Sequence, residues 1–355
     1  MRRRILFAVA AVFLAFGVAV AGLLAADYLL HRRAERSAGL NIWGYRGPVV
    51  SRRHDGLRVA VLGGSTAFGY GVTWEQAFPA ALERALKTSS PRRDWSVVNL
   101  GYNNEGAYSF RFTLEDFAYL QPDVVVLYEG YNDMIGDDGP NKALFRHASP
   151  VFVLTGYMPI LPLVFHEKAL ALRHGSLDAA YAYEQGKSKM VFRPNLGDRT
   201  AASALDAAVL LEQSIERQLK PLANSAVAHA AAPDAEGCGD PWRHYCHSMA
   251  IAIDYALAHH LKIIVAGQPR PAVDHIAARH EEQQRALVAM LQRRFAGNAS
   301  VRYVDLAHAV DLRDPTTAPD SMHLNASGNG RLAGKLVRPV LDILGIDPAR
   351  SDPTS

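Results

Sequence analysis

From Val59 to Gly69 the chain reads Val-Ala-Val-Leu-Gly-Gly-Ser-Thr-Ala-Phe-Gly, and this stretch limits the possible folds more than any other. Val59–Leu62 is short, apolar and rich in valine, and two glycines end it. A run of that kind reads as a strand buried on both faces, the habit of parallel sheets. Glycine lets the chain turn sharply and brings backbone close to a neighbour. The turn presents Ser65 at the C-terminal end of its strand, where open α/β sheets bind ligands.

The same punctuation recurs downstream. Thr73-x-x-Gln76 forms a capping box for a helix reaching about Lys87. Trp95–Leu100 reads as a second strand, about 109–120 as a helix, and Pro122–Tyr128 as a third, central strand. After an irregular middle region, alternation resumes with a helix at 248–260 and a strand at Lys262–Ala266. An amphipathic helix at 277–295, a strand at Val301–Leu306 and a closing helix from Ser327 to Leu344 follow. Strands alternating with helices predict a parallel sheet covered on both faces.

The chain begins Met1-Arg2-Arg3-Arg4, and Ile5–Ala26 holds no charge in 22 positions. As a helix that run spans about 33 Å, enough for a hydrocarbon core of about 30 Å. Two readings stay open. One is an uncleaved signal anchor; the other is a signal peptide cut after Ala19-Val20-Ala21. Arg2, Arg3 and Arg4 flank one end and Arg32, Arg33 and Arg36 the other, so charge favours an inside amino terminus only mildly. The resulting organisation is a membrane helix over 1–30, a linker docked by its aromatic residues over 31–56, and a catalytic domain over 57–346. A mainly helical insertion covers 137–250, and 347–355 form a disordered tail. Val151–Phe165 is apolar but broken by Gly156, Pro159 and Pro162, so it is too short to span. It reads as an insertion packed on the core, or as a hydrophobic lid or interfacial patch near the bilayer. Cys238 and Cys246, the only cysteines, suit a local disulfide outside the cytoplasm, worth about 2–3 kcal/mol. The net charge is +3 over 355 residues, and no basic block sits beside aromatic residues. Nucleic acid is therefore not an expected partner, and neither a metal nor another cofactor is called for.

Four pieces lie at strand ends or just before a helix: Ser65, the Gly101–Gly106 loop, Asn132, and Asp320-x-x-His323. In a parallel sheet such ends share one edge. The residue types suit acyl transfer. A serine hydroxyl needs a base to take its proton, and histidine is the usual one. A carboxylate fixes the imidazole tautomer. The tetrahedral oxyanion needs preorganised N–H donors.

On these blocks the chain resembles the SGNH hydrolases, the GDSL-type esterase/lipase family. Gly63-Gly64-Ser65-Thr66 corresponds to the nucleophile block, with Gly64 in place of aspartate. Asn99-Leu100-Gly101-Tyr102-Asn103-Asn104-Glu105-Gly106 corresponds to the glycine block. Gly130-Tyr131-Asn132-Asp133 and Asp320-Ser321-Met322-His323 match theirs unaltered. The resemblance implies a three-layer, flavodoxin-like α/β/α fold with a five-stranded parallel sheet. It implies Ser65 as nucleophile, His323 as base and then acid, and Asp320 as its orienter. The Ser65 N–H, the Gly106 N–H (in preference to Gly101) and the Asn132 amide would form the oxyanion hole. Glu105 and Glu129, beside these loops, are expected to bond backbone there. With Gly64 before it, Ser65 depends on the Asp320–His323 pair for activation. The implied function is an extracytoplasmic, membrane-tethered serine esterase acting on an ester or O-acyl group of a small molecule, lipid or glycan. The alternatives are an O-acyltransferase for a cell-envelope glycan and an inactive binding scaffold.

Overall fold

The structure is a computed structural model and describes residues 2–37, 39–134, 141–147, 149–176, 179–180, 192–224 and 238–347. It divides into two compact units: 37–148 with 229–355, and 1–36 with 149–228.

The larger unit is built on five parallel strands: β1 (Leu57–Gly63), β2 (Trp95–Asn99), β3 (Val124–Tyr128), β4 (Lys262–Ala266) and β5 (Val301–Val304). Their order is β2-β1-β3-β4-β5. Every residue of β3 is buried, as its unbroken Val-Val-Val-Leu-Tyr run requires for a central strand covered on both faces. Pairing of Val59 with both Val97 and Val124 fixes the register of β2, β1 and β3. Strand order reverses between β1 and β3, so the crevice beyond their C-terminal ends is the topological switch point where such sheets bind ligands.

The helices in chain order are α1 (Arg2–Ser37), α2 (Ser65–Phe68), α3 (Phe78–Ser89), α4 (Tyr108–Asp116), α5 (Pro150–Thr155), α6 (Leu161–His174), α7 (Leu196–Asn224), α8 (Arg243–Ala258), α9 (Asp274–Phe295) and α10 (Ala326–Ile343). The capping box at Thr73 and Gln76 closes a single 3-10 turn, Trp74–Gln76, instead of opening α3. Ala77 returns to extended backbone and Pro79 sits in the first turn of α3, where its missing N–H costs nothing. The helix read over 109–120 likewise ends at Asp116, and a 3-10 turn, Ala118–Leu120, precedes β3.

The segment after α1 joins the larger unit through backbone and an arginine. Arg46 bridges to Asn99 beside β2. Its buried guanidinium donates to the carbonyls of Phe68, Gly69 and Val72, just past α2, and lies over the Phe68 ring. Burial pushes the Arg46 guanidinium down to about 10, still well above neutrality. Cys238 and Cys246 are joined in a disulfide.

α1, whose residues to Arg36 belong to the smaller unit, continues to Ser37, seven residues into the stretch read as linker. Residues 9–25 are exposed, and burial begins at Ala26. Asp27 accepts hydrogen bonds from the Ile160 and Leu161 N–H groups at 2.9 and 2.6 Å, and from the Tyr157 hydroxyl. It thus caps the amino end of α6, where a negative charge is favoured. His31, one turn on, hydrogen-bonds the Met158 carbonyl. The tail from 348 onward lies outside the described residues. Asp27→Ala should destabilise this unit by about 2 kcal/mol, the scale for losing hydrogen bonds to a charged acceptor. Hydrogen exchange should show it as faster exchange at Ile160 and Leu161, with β3 unchanged.

Candidate active site

β1 ends at Gly63 and the chain turns at once into α2, so Ser65 stands at the amino end of a one-turn helix. Two glycines make this turn possible by close approach. A Cβ on Gly63 would lie 2.3 Å from the Tyr128 carbonyl oxygen. One on Gly64 would lie 2.1 Å from Asn132 Nδ2 and 2.6 Å from Glu129 Oε2. An aspartate therefore has no room at position 64, because Asn132 and Glu129 occupy that space.

Ser65 Oγ is 2.8 Å from His323 Nε2, across 258 residues of sequence. His323 Nδ1 is 2.7 Å from Asp320 Oδ2. With Nδ1–H donated to the carboxylate, Nε2 faces Ser65 as the acceptor. Asp320 Oδ1 also accepts the Met322 and His323 backbone N–H groups at 3.0 and 2.6 Å. Ser321 enables this tight loop by adopting left-handed backbone (φ +63°), a conformation that a non-glycine residue rarely holds outside a constrained site. Burial pushes the Asp320 carboxyl up, but the bonds from His323 and Met322 outweigh it and hold it below its ordinary value. Asp320 does not cap α10. That task falls to Asn325, whose side chain accepts from the Ser327 and Gly328 N–H groups. The Tyr70 ring covers one side of the imidazole, with centroids 4.9 Å apart.

Asn132 lies on a 3-10 turn (Tyr131–Asp133) directly after β3. Its amide donates one hydrogen to the Glu105 carbonyl at 2.9 Å, leaving the second for another acceptor. The two glycines of the β2 loop differ. Gly101 donates its N–H to Asn99 Oδ1 at 3.1 Å, and a Cβ there would strike Ala67 at 2.8 Å. It serves packing against α2. The Gly106 N–H meets no acceptor among the described residues, nor does that of Ser65.

Two buried carboxylates hold these loops. Glu129 accepts the Gly64 N–H at 2.6 Å on one oxygen and the Gly130 and Asn132 N–H groups at 2.9 and 3.0 Å on the other. Asp133 accepts the Ala107 N–H at 2.9 Å, next to Gly106. Burial first, then repulsion from Asp133, pushes the Glu129 carboxyl up; its backbone bonds oppose this. Burial likewise raises Asp133. Glu105 binds the Phe145 N–H at 2.8 Å and pairs with buried Arg146 at 3.2 Å. Sequence reasoning placed Glu129 and Glu105 beside these loops. It missed Gln268, which accepts the Tyr131 N–H at 2.8 Å and donates to Thr66 Oγ1 at 2.9 Å. It also missed Gln283, which donates to the Gly130 carbonyl at 3.0 Å. Nothing in the spacing of either glutamine marks it. Among the described residues no group of His, Cys, Asp and Glu is arranged to hold a metal.

The sequence profile of the GDSL-like lipase/acylhydrolase family matches residues 61–331. The chain belongs to that family. Its members hydrolyse ester bonds, and this protein is a hydrolase of that class. Among curated proteins none matches the chain in sequence. Similar solved structures include a catalytic mutant of Axe2, an acetylxylan esterase from Geobacillus stearothermophilus. It is 12% identical, with 85% of this chain and 100% of that chain covered and a TM-score of 0.42. TesA is 14% identical over 81% of this chain and 99% of its own, with a TM-score of 0.42. Est24, a carbohydrate acetylesterase from Sinorhizobium meliloti, is 11% identical over 81% and 99%, with a TM-score of 0.38. The family assignment stands on the sequence profile alone.

Two outcomes are expected from the site's surroundings. In Glu129→Gln one end of the side chain becomes a donor facing N–H donors. With loop geometry disturbed, kcat should fall about 100-fold, the scale of losing one oxyanion donor, while KM stays nearly constant. Steady-state kinetics on a soluble acetate ester checks this. His280, buried against the Tyr131 ring, is pushed down by burial to about 4. Its ordinary value is about 6.5, so between these values the unfolded chain binds more protons than the native one. Its contribution is complete above about pH 6.5 and is lost as pH falls toward 4, by on the order of 3 kcal/mol. Urea unfolding of the native protein and His280→Asn at pH 7 and pH 4.5 should show that acid loss shrinking in the variant.

Proposed function

We propose that the protein is a serine esterase that cleaves a carboxylic ester or O-acyl group through an acyl-enzyme. The observation carrying this reading is the continuous Ser65–His323–Asp320 hydrogen-bonded chain at the switch point of the sheet. Ser65 Oγ attacks the acyl carbonyl while His323 Nε2 takes its proton. Asp320 orients the ring and stabilises the imidazolium. Negative charge on the former carbonyl oxygen meets the Ser65 and Gly106 N–H groups and the second hydrogen of the Asn132 amide. Gly106 is chosen over Gly101 because the Gly101 N–H is already given to Asn99. His323 then protonates the leaving alcohol, activates water for attack on the acyl-enzyme, and returns the proton to Ser65.

Water is the favoured acyl acceptor because the Asp320 side chain is half exposed and His323 is 17% exposed. In the same reading α1 crosses a membrane. It is long and apolar enough to do so and exposed along its apolar run. Arg2, Arg3 and Arg4, set against Arg32, Arg33 and Arg36 at the other end, mildly favour an inside amino terminus and a catalytic unit outside the cytoplasm. The Cys238–Cys246 disulfide supports that side of the membrane.

Ser65→Ala should lower turnover of p-nitrophenyl acetate by at least about a thousand-fold and abolish labelling by a fluorophosphonate. Full turnover in the folded variant overturns the reading. An acylated sugar in place of free acid, when sugar is supplied, would replace hydrolysis with transfer.

A further inference from the structure

Residues 150–165 form sixteen consecutive positions without a charge, in two short helical pieces joined by a loop. Phe152, Met158 and Ile160 are buried and both pieces pack against α7, but the remaining apolar side chains are incompletely covered. Leu154 is 53% exposed, and Val153, Leu161, Leu163 and Val164 are only half-buried. Most such residues in a water-soluble unit turn inward, and contiguous apolar exposure marks an interaction surface.

The place of this surface is set by α1. Asp27 and His31 hold the loop through Tyr157, Met158, Ile160 and Leu161. Asp27 directly follows the uncharged run Ile5–Ala26, whose helical length of about 33 Å matches the hydrocarbon core. The loop is therefore fastened where α1 leaves the hydrocarbon. Leu161–Phe165 span about 6 Å along their helix, and Leu154 is three residues from Tyr157, a reach of about 10 Å. Both distances fall within the headgroup and acyl boundary, where in-plane apolar segments bury about 5–10 Å deep. The bonds at Asp27 explain how a carboxylate is tolerated there, since charges at that depth need partners.

We propose that segment 150–165 is a lipid-contacting surface lying in the interface of the membrane that α1 crosses. This rests on the membrane reading of α1. The occupant is phospholipid, because the surface carries no charge to pair with a protein partner and is tied to the exit of the span.

The test uses the full chain in phosphatidylcholine nanodiscs. The described cysteines are both in the disulfide, so single added cysteines take a nitroxide label cleanly. Leu154→Cys probes the surface, Leu24→Cys the span, and Arg338→Cys an exposed site of the other unit. The label at 154 should keep relaxation by oxygen and lose relaxation by a water-soluble nickel chelate, as at 24 and unlike 338. Strong nickel relaxation at 154 with protection at 24 overturns the lipid surface and leaves the span intact. Loss of both relaxations at 154 means that protein, from this chain or a second copy, covers the surface, and overturns it too. Nickel relaxation at 24 overturns the membrane reading itself.

Discussion

The buried carboxylate of Glu129 is the interaction on which the active edge depends. It gathers backbone N–H groups from two adjacent strand ends, Gly64 after β1 and Gly130 and Asn132 after β3. Parallel pairing brings these ends near each other but does not set the last ångström between them. The carboxylate does, and in so doing fixes the distance from Ser65 to the Asn132 amide. Gly64 follows from the same geometry, since any side chain there would enter the space held by Glu129 and Asn132.

This arrangement has an electrostatic cost that the fold manages by position. Two carboxyls, Glu129 and Asp133, lie buried close together, and each is held back from ionising by burial. Negative charge so near an oxyanion site opposes catalysis. The bonds that stabilise Glu129 run to main-chain N–H groups of the turns and not to the Asn132 side chain, whose amide bonds the Glu105 carbonyl. The carboxyl thus serves loop geometry, and in the proposed mechanism the donors that meet the reacting oxygen are neutral dipoles. Asp320 differs: it is half exposed, its value is lowered, and it bonds the imidazole with one oxygen and the Met322 and His323 N–H groups with the other.

Much of this was legible in the sequence because it depends on short-range chemistry. Unbroken apolar runs marked β1, β3 and β4, and the Gly-Gly-Ser and Gly-x-Asn turns after β1 and β3 marked their functional ends. The Asp320-x-x-His323 spacing was readable because one loop carries both residues. What escaped was chemistry set by tertiary contact. Gln268 and Gln283 act across 137 and 153 residues of sequence, and neither has a local pattern. The capping box at Thr73 was recognised but overrun. Pro79 starts a helix more firmly than Gln76 does, so the box closed a separate turn. The sequence already favours Gly106 over Gly101, and the Gly101 N–H bonded to Asn99 supports that preference, a contact no spacing could show.

Asp27 extends the same principle to the smaller unit. A carboxylate one residue beyond a 22-residue uncharged run looks like a simple end marker. Its three hydrogen bonds make it a joint, because the amino end of α6 exposes N–H groups that need an acceptor and α1 supplies it. Segment 150–165 and the end of α1 therefore fold as one piece, each satisfying groups the other leaves open. A cut after Ala21 would leave Asp27 on the retained chain, so the joint is compatible with either fate of the first 21 residues. Only the uncut helix, however, holds the joint at a fixed depth. The apolar surface beside it makes physical sense at that depth and is hard to account for in water.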